Sequence, residues 1–233
     1  GPQYSDPLVQ STTGPGAMPA PITSFNGPPN ISGVSPPDPV GDVGLNHYVE
    51  MVNLAFAVYD KQGNLLLGPV DTGTLWADFA VEDCTDPSGD PIVVYDQFAD
   101  RWLLSQFTTR GPMYYDCVAI SQTGDPTGAY YRYAFVTQPD PDLPGGTFFP
   151  DYPKYAVWAT DANGGAGSYV VTANDGGPGV IALDRGKMLT GQPASFQRRT
   201  MPELPGFGIQ GPAPADPDGP NGPPAGAPAI VMR

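Results

Sequence analysis

Asp90-Pro-Ile-Val-Val-Tyr-Asp96, Arg101-Trp-Leu-Leu-Ser-Gln-Phe107, Tyr114-Tyr-Asp-Cys-Val-Ala-Ile-Ser121 and Tyr130-Tyr-Arg-Tyr-Ala-Phe135 follow one another in residues 90–135. Each run is rich in β-branched and aromatic residues. A polar turn, a Gly-Pro break and the turn Gly124-Asp-Pro-Thr-Gly128 divide them. Four short strands separated by turn chemistry predict one four-stranded antiparallel sheet, the unit that a β-propeller repeats as its blade.

Working outward, the same grammar recurs on both sides. Upstream, Pro36-Pro-Asp-Pro-Val-Gly-Asp42 leads into His47–Asn53, Leu54–Asp60 and Leu65–Val70, a blade over residues 38–80. The central blade occupies residues 88–137. Downstream, Phe149-Pro-Asp151-Tyr-Pro-Lys154 opens a third, residues 150–201, with strands at Tyr155–Thr160, Ser168–Ala173, Val180–Leu183 and Ser195–Thr200, and a short helical turn in 185–191. Ala215-Asp216-Pro217-Asp218 and then Ala229-Ile-Val-Met232 read as a partial fourth blade, residues 214–233. The fold class is therefore all-β, a propeller of four-stranded antiparallel blades, about three plus the start of a fourth. Propellers close with about four to eight blades, so the pattern predicts that further blades or another chain complete the ring. Residues 1–35, rich in Pro, Gly, Ser and Thr, read as an arm or leader, with Ile22 and Phe25 as residues an arm would bury.

With 31 Pro and 30 Gly, the composition approaches that of disordered chains, but 40% hydrophobic residues and 11% aromatics supply a core. The Pro and Gly are punctuation of a turn-rich β fold. A net charge of −14 repels phosphate backbones and argues against nucleic acid as a partner. No apolar run reaches the length of a membrane span. Cys84 and Cys117 read as either two buried thiols or a disulfide. The disulfide is favoured, since Cys84 precedes the first strand of the central blade and Cys117 lies in its third. A disulfide, few lysines and the sequon Asn30-Ile31-Ser32 all agree with a secreted protein.

Gly41–Val49, Val94–Phe107, Gly124–Tyr133 and Asp151-Tyr-Pro-Lys154 together resemble propeller-like domains of secreted bacterial multidomain proteins, over residues 36–233. The resemblance implies a fold and a location rather than a reaction. Val70-Asp-Thr-Gly-Thr-Leu-Trp76 and Asp125-Pro-Thr-Gly-Ala-Tyr130 are similar to the Asp boxes of sialidase-type propellers, turns between third and fourth strands. That likeness implies structure and no sialidase activity, because no arginine stands at the start of a blade.

Asp42, Asp90, Asp151 and Asp216 recur near the blade starts. If inner strands begin beside a shared channel, these carboxylates converge as a ligand or metal site, and oxygen-rich flexible loops favour Ca²⁺. The alternative is that each Asp caps its own turn. Asp151, Lys154, Tyr152 and His47 are the candidate catalytic groups of an enzyme reading. There is no nucleophile elbow, phosphate loop or dinucleotide fingerprint. The sequence thus points to a secreted, Ca²⁺-stabilised module for binding or assembly. One alternative is a carbohydrate-active hydrolase or lyase; a second is a structural subunit of an extracellular polymer. Glycan is a candidate ligand in view of the many tyrosines of the central blade.

Overall fold

Period-two alternation in the central run sends successive side chains to opposite faces of a sheet. In the computed structural model, which describes residues 16, 19–137, 149–161, 163–174, 178–202 and 211–233, both faces of that sheet are buried. Strands β5 (Ile92–Asp96), β6 (Arg101–Phe107), β7 (Tyr115–Ser121) and β8 (Tyr130–Val136) form it, antiparallel and in chain order. Val93, Trp102, Leu104, Cys117 and Ala119 face the preceding sheet, while Val94, Leu103, Val118 and Ile120 face the following one. Burial on both faces explains why this stretch reads as continuous apolar runs.

The preceding sheet holds β1 (Val40–Val43), β2 (His47–Val52), β3 (Ala55–Asp60) and β4 (Leu65–Asp71). The following one holds β9 (Asp151–Trp158), β10 (Ser168–Asn174), β11 (Pro178–Asp184) and β12 (Phe196–Thr200), with a helical turn, α1 (Arg185–Met188), between β11 and β12. A two-stranded ladder, β13 (Ala213–Pro214) with β14 (Val231–Met232), completes the described strands. The fold is all-β, built of separate antiparallel sheets, as the turn grammar predicts. No backbone ladder joins one sheet to another among the described residues.

Two departures have a common cause. Val40-Gly-Asp-Val43 is a strand, although its two polar or small residues make it look like a lead-in loop. With β1 counted, Asp71 ends the fourth strand and caps a 3-10 turn, Thr72–Trp76, through a 2.7 Å bond from Gly73 N. Asp125 instead lies between the third and fourth strands of its sheet. The two box-like motifs therefore occupy different places. In the last ladder, Asp216 follows β13 rather than starting it.

The first strands of successive sheets are neighbours: β1 contacts β5, β5 contacts β9, and β9 contacts β13. The sheets fan out from these inner strands and pack face to face, with Trp76, Trp102 and Met51 wholly buried in one layer and Leu103, Ile120, Leu183 and Met188 in the next. Each large apolar side chain so buried contributes about 1.5–3 kcal/mol. Cys84 and Cys117 form a disulfide, with Cα atoms 5.8 Å apart, which ties a 3-10 turn (Glu82–Thr85) to β7. Of the arm, Phe25 packs its ring on Tyr48 and Tyr59 of the first sheet, at centroid distances of 5.8 and 5.2 Å. Ile22 is fully exposed rather than buried, and Leu8 and Val9 lie outside the described residues.

Candidate functional site

Proline lacks an N–H and so is accepted at the first position of a strand. Three inner strands begin with the same step: Asp38-Pro39 before β1, Asp90-Pro91 before β5, and Tyr152-Pro153 within the start of β9. The residue before each proline has a left-handed backbone, with φ of 39° at Asp38, 42° at Asp90 and 56° at Tyr152. A short polar side chain tolerates this region, whereas for tyrosine it costs about 1–3 kcal/mol. The three steps, with Val40, Ile92 and Lys154, line one pocket of about 400 Å³.

Hydrogen bonds within and between sheets hold this mouth. Asp90 Oδ2 accepts from Tyr152 N at 2.9 Å, linking the second sheet to the third. Asp38 Oδ2 accepts from Asn53 Nδ2 at 2.7 Å. Lys154 Nζ lies 3.1 Å from the centroid of the Tyr152 ring, and donates weakly to Pro153 O at 3.3 Å. Burial lowers the Lys154 pKa, opposed by the charges of Asp90 and Asp151. Burial likewise raises the Asp90 carboxyl above the ordinary value, with the Tyr152 N–H acting against it and Asp151 and Asp38 adding to it. The Tyr152 side chain is 56% exposed despite its strained backbone.

The four aspartates do not share one face. Asp42 Oδ2 accepts from Tyr95 N, near the end of β5, at 2.7 Å. Tyr95 is five residues beyond Asp90, about 16 Å of extended chain. Asp216 Oδ1 accepts from Val157 N, near the end of β9, at 2.8 Å. Asp42 and Asp96 both raise the Asp216 carboxyl, after the larger effect of its burial. Asp90 and Asp151 therefore sit at the mouth, and Asp42 and Asp216 at the far end. Among the described residues no group of three or more His, Cys, Asp and Glu is placed to hold a metal. Asp42 and Asp216 have each taken a backbone N–H of a neighbouring inner strand.

His47 also belongs to the far end, separating it from the other three candidate catalytic groups. It starts β2, and its Nε2 lies 4.0 Å from Asp125 Oδ1 in the β7–β8 turn. Asp151, Tyr152 and Lys154 remain together at the mouth.

Two features were hidden in the sequence. The first is a buried cluster at the far end: Arg185 Nε and Nη2 donate to Asp96 Oδ2 and Oδ1 at 2.6 and 2.9 Å, and the Tyr169 hydroxyl donates to Asp96 Oδ2 at 2.9 Å. Asp96 is wholly buried and Arg185 nearly so. The second is the proline register. Aligned on proline rather than aspartate, the repeated steps are Asp38-Pro39, Asp90-Pro91, Tyr152-Pro153 and Gly211-Pro212, the last just before β13. Pro212 O accepts from Thr172 Oγ1 at 2.7 Å, beside Lys154 in the β9–β10 register.

A larger cavity, about 790 Å³, lies on the outer face of the first sheet beneath residues 22–27 of the arm. Within it the Tyr48 hydroxyl donates to Glu50 at 3.1 Å, and burial together with Glu50 pushes the Tyr48 pKa up to about 12. The mouth is smaller but gathers strained backbone, opposite charges and an exposed ring from three sheets. The tyrosines of the central sheet serve packing, as Tyr133 shows by donating to Gln192 O of the third sheet at 3.2 Å. Comparisons with family models, with curated proteins and with solved structures return no match for this chain.

Proposed function

We propose that this chain is a propeller-type module for binding and assembly outside the cell, and that it takes its ligand at the mouth of the inner strands. One observation carries the reading: three separate sheets each deliver a left-handed residue and a proline to a single pocket of about 400 Å³. Strain of this kind persists where the surrounding structure holds it, and clusters at binding sites. Pockets of this size are ordinary for small ligands or for the end of a polymer. The disulfide supports an extracellular location. Exposed apolar residues of the first sheet's β1–β2 segment, Val43 and Leu45, and of the last ladder, Ile230 and Met232, support assembly with neighbouring sheets or chains. The far-end carboxylates act as inter-sheet acceptors, so the proposal does not draw on Ca²⁺.

A second reading, a carbohydrate-active enzyme, has one observation in its favour: Lys154, with a lowered pKa, is packed on Tyr152 beside Asp151 and Asp90. The two readings separate in a screen of polysaccharides and of basic and acidic peptides, scored for retention and for turnover. Retention without turnover is expected. Turnover abolished by Asp151→Asn or Lys154→Ala would establish the enzyme instead.

A further inference from the structure

The mouth presents a ring, acceptors and a donor in one place. Tyr152 has one face under the Lys154 ammonium, and more than half of its surface is open. Asp90 spends one oxygen on Tyr152 N and Asp38 one on Asn53 Nδ2, leaving each with a second oxygen as an acceptor. Pro39, Pro91 and Pro153 supply apolar walls between them.

The charges narrow the ligand. A cation entering the mouth meets the Lys154 ammonium, which already occupies the ring face and the field of Asp90 and Asp151. An anion meets three carboxylates, Asp38, Asp90 and Asp151, against one lysine, on a chain with net charge −14. A neutral polyol meets neither penalty. Its hydroxyls donate to the free aspartate oxygens, and the C–H face of a sugar ring stacks on the aromatic face that Lys154 does not occupy.

We propose that the mouth binds a neutral pyranose unit of a glycan, with the Tyr152 face opposite Lys154 as its stacking surface and the spare oxygens of Asp90 and Asp38 as its hydroxyl partners. This rests on the reading of the mouth as the binding site. The backbone of Tyr152 is held at the pocket: the Asp90 carboxylate accepts its N–H at 2.9 Å, and its φ of 56° is a conformation that the surrounding structure must maintain.

The test is calorimetric titration of the intact chain and of Tyr152→Gly with neutral cello-, xylo- and manno-oligosaccharides, an oligogalacturonate and spermine. Glycine adopts positive φ without penalty, so Tyr152→Gly removes the ring while keeping the backbone, and a thermal melt confirms its fold. At least one neutral oligosaccharide is expected to bind most tightly, and to lose roughly tenfold or more in affinity with Tyr152→Gly. If spermine or the oligogalacturonate binds most tightly and loses affinity in the variant, the mouth stands as the site but the sugar is wrong. Tightest binding that does not respond to Tyr152→Gly, or no binding by any probe, overturns both.

Discussion

The inner strands have two ends, and aspartate does opposite work at each. At the far end, Asp42 and Asp216 hold backbone N–H groups of neighbouring inner strands, and Asp96 holds both Arg185 and Tyr169. These bonds join sheets that share no backbone ladder. At the mouth, Asp38 and Asp90 also bond across elements, but each keeps an oxygen over, and they stand beside an exposed ring and a partly buried lysine. The far end is tied by several inter-sheet bonds around a buried ion pair, whereas the mouth lines a pocket of about 400 Å³. Residue type alone does not tell the two apart. What does is the setting: Asp96 is wholly buried against a guanidinium, whereas Asp90 accepts one N–H beside a pocket and an exposed ring.

The sharpest way to break this contrast is to unsaturate the far end. Asp96→Asn keeps the shape but leaves Arg185 as an uncompensated buried charge, and losing one partner of such a pair costs about 3–5 kcal/mol. Urea unfolding should show a drop of that order. Asp90→Asn, at the mouth, should cost far less, because the amide oxygen still accepts from Tyr152 N and no opposite charge is orphaned. Equal losses at the two positions would erase the distinction between a closed end and an open one.

Much of this fold was legible, and the reason is local. The central runs are rich in β-branched and aromatic residues, are bounded by Gly, Pro and Asp, and are apolar on both faces because both faces are covered, so strands β5 to β8 follow from their residues. β1 was not legible: Gly41 and Asp42 make a poor strand by composition, and Asp42 is tolerated there only because Tyr95 N, 53 positions later, needs an acceptor. The site was half legible. Asp90, Asp151, Tyr152 and Lys154 were marked from their place near strand starts, and they do lie together. The same rule picks out Asp42, Asp216 and His47, which lie elsewhere, since aspartate recurs on both ends of an inner strand and its residue type does not say which end it occupies. The Asp96–Arg185 pair is purely tertiary: its members are 89 positions apart, and nothing near either residue announces the other.

A smaller effect sharpens the comparison through pH. Burial raises the folded pKa of Asp216 at the far end and of Asp90 at the mouth above the unfolded value, so for both the folded state binds its proton more tightly. Their contribution to stability is present below the unfolded pKa and is lost as pH rises through the folded one. Asp60, Asp125 and Asp161 shift the other way, lowered chiefly by hydrogen bonds from Asn64, from Thr127 and from Gly165 respectively. Their contribution is present above the unfolded carboxylate pKa and lost as pH falls through the folded one. On acidification from neutrality the raised pair titrates first, so the melting temperature should rise before it falls. Asp216→Asn should flatten the rise, and a profile that falls from neutrality without a maximum would show that burial does not govern these carboxylates.

The smallest expected effect concerns divalent cations. A carboxylate that accepts a short N–H bond has already replaced its water with a partner, and a cation must compete with that bond as well as with hydration. Asp42 uses one oxygen on Tyr95 N and the other on Val43 N, at 2.7 Å each; Asp216 uses one on Val157 N. Thermal melts in EDTA and in added Ca²⁺ should therefore coincide in wild type. They should also coincide in Asp42→Asn, which keeps one side-chain acceptor for the inter-sheet bond. A Ca²⁺-dependent rise in wild type that vanishes in Asp42→Asn would make the far end a cation site and not merely a closed one. The same rise vanishing in Asp90→Asn alone would move the cation to the mouth, where spare oxygens exist, and would set it beside Tyr152 as a competitor for the ligand.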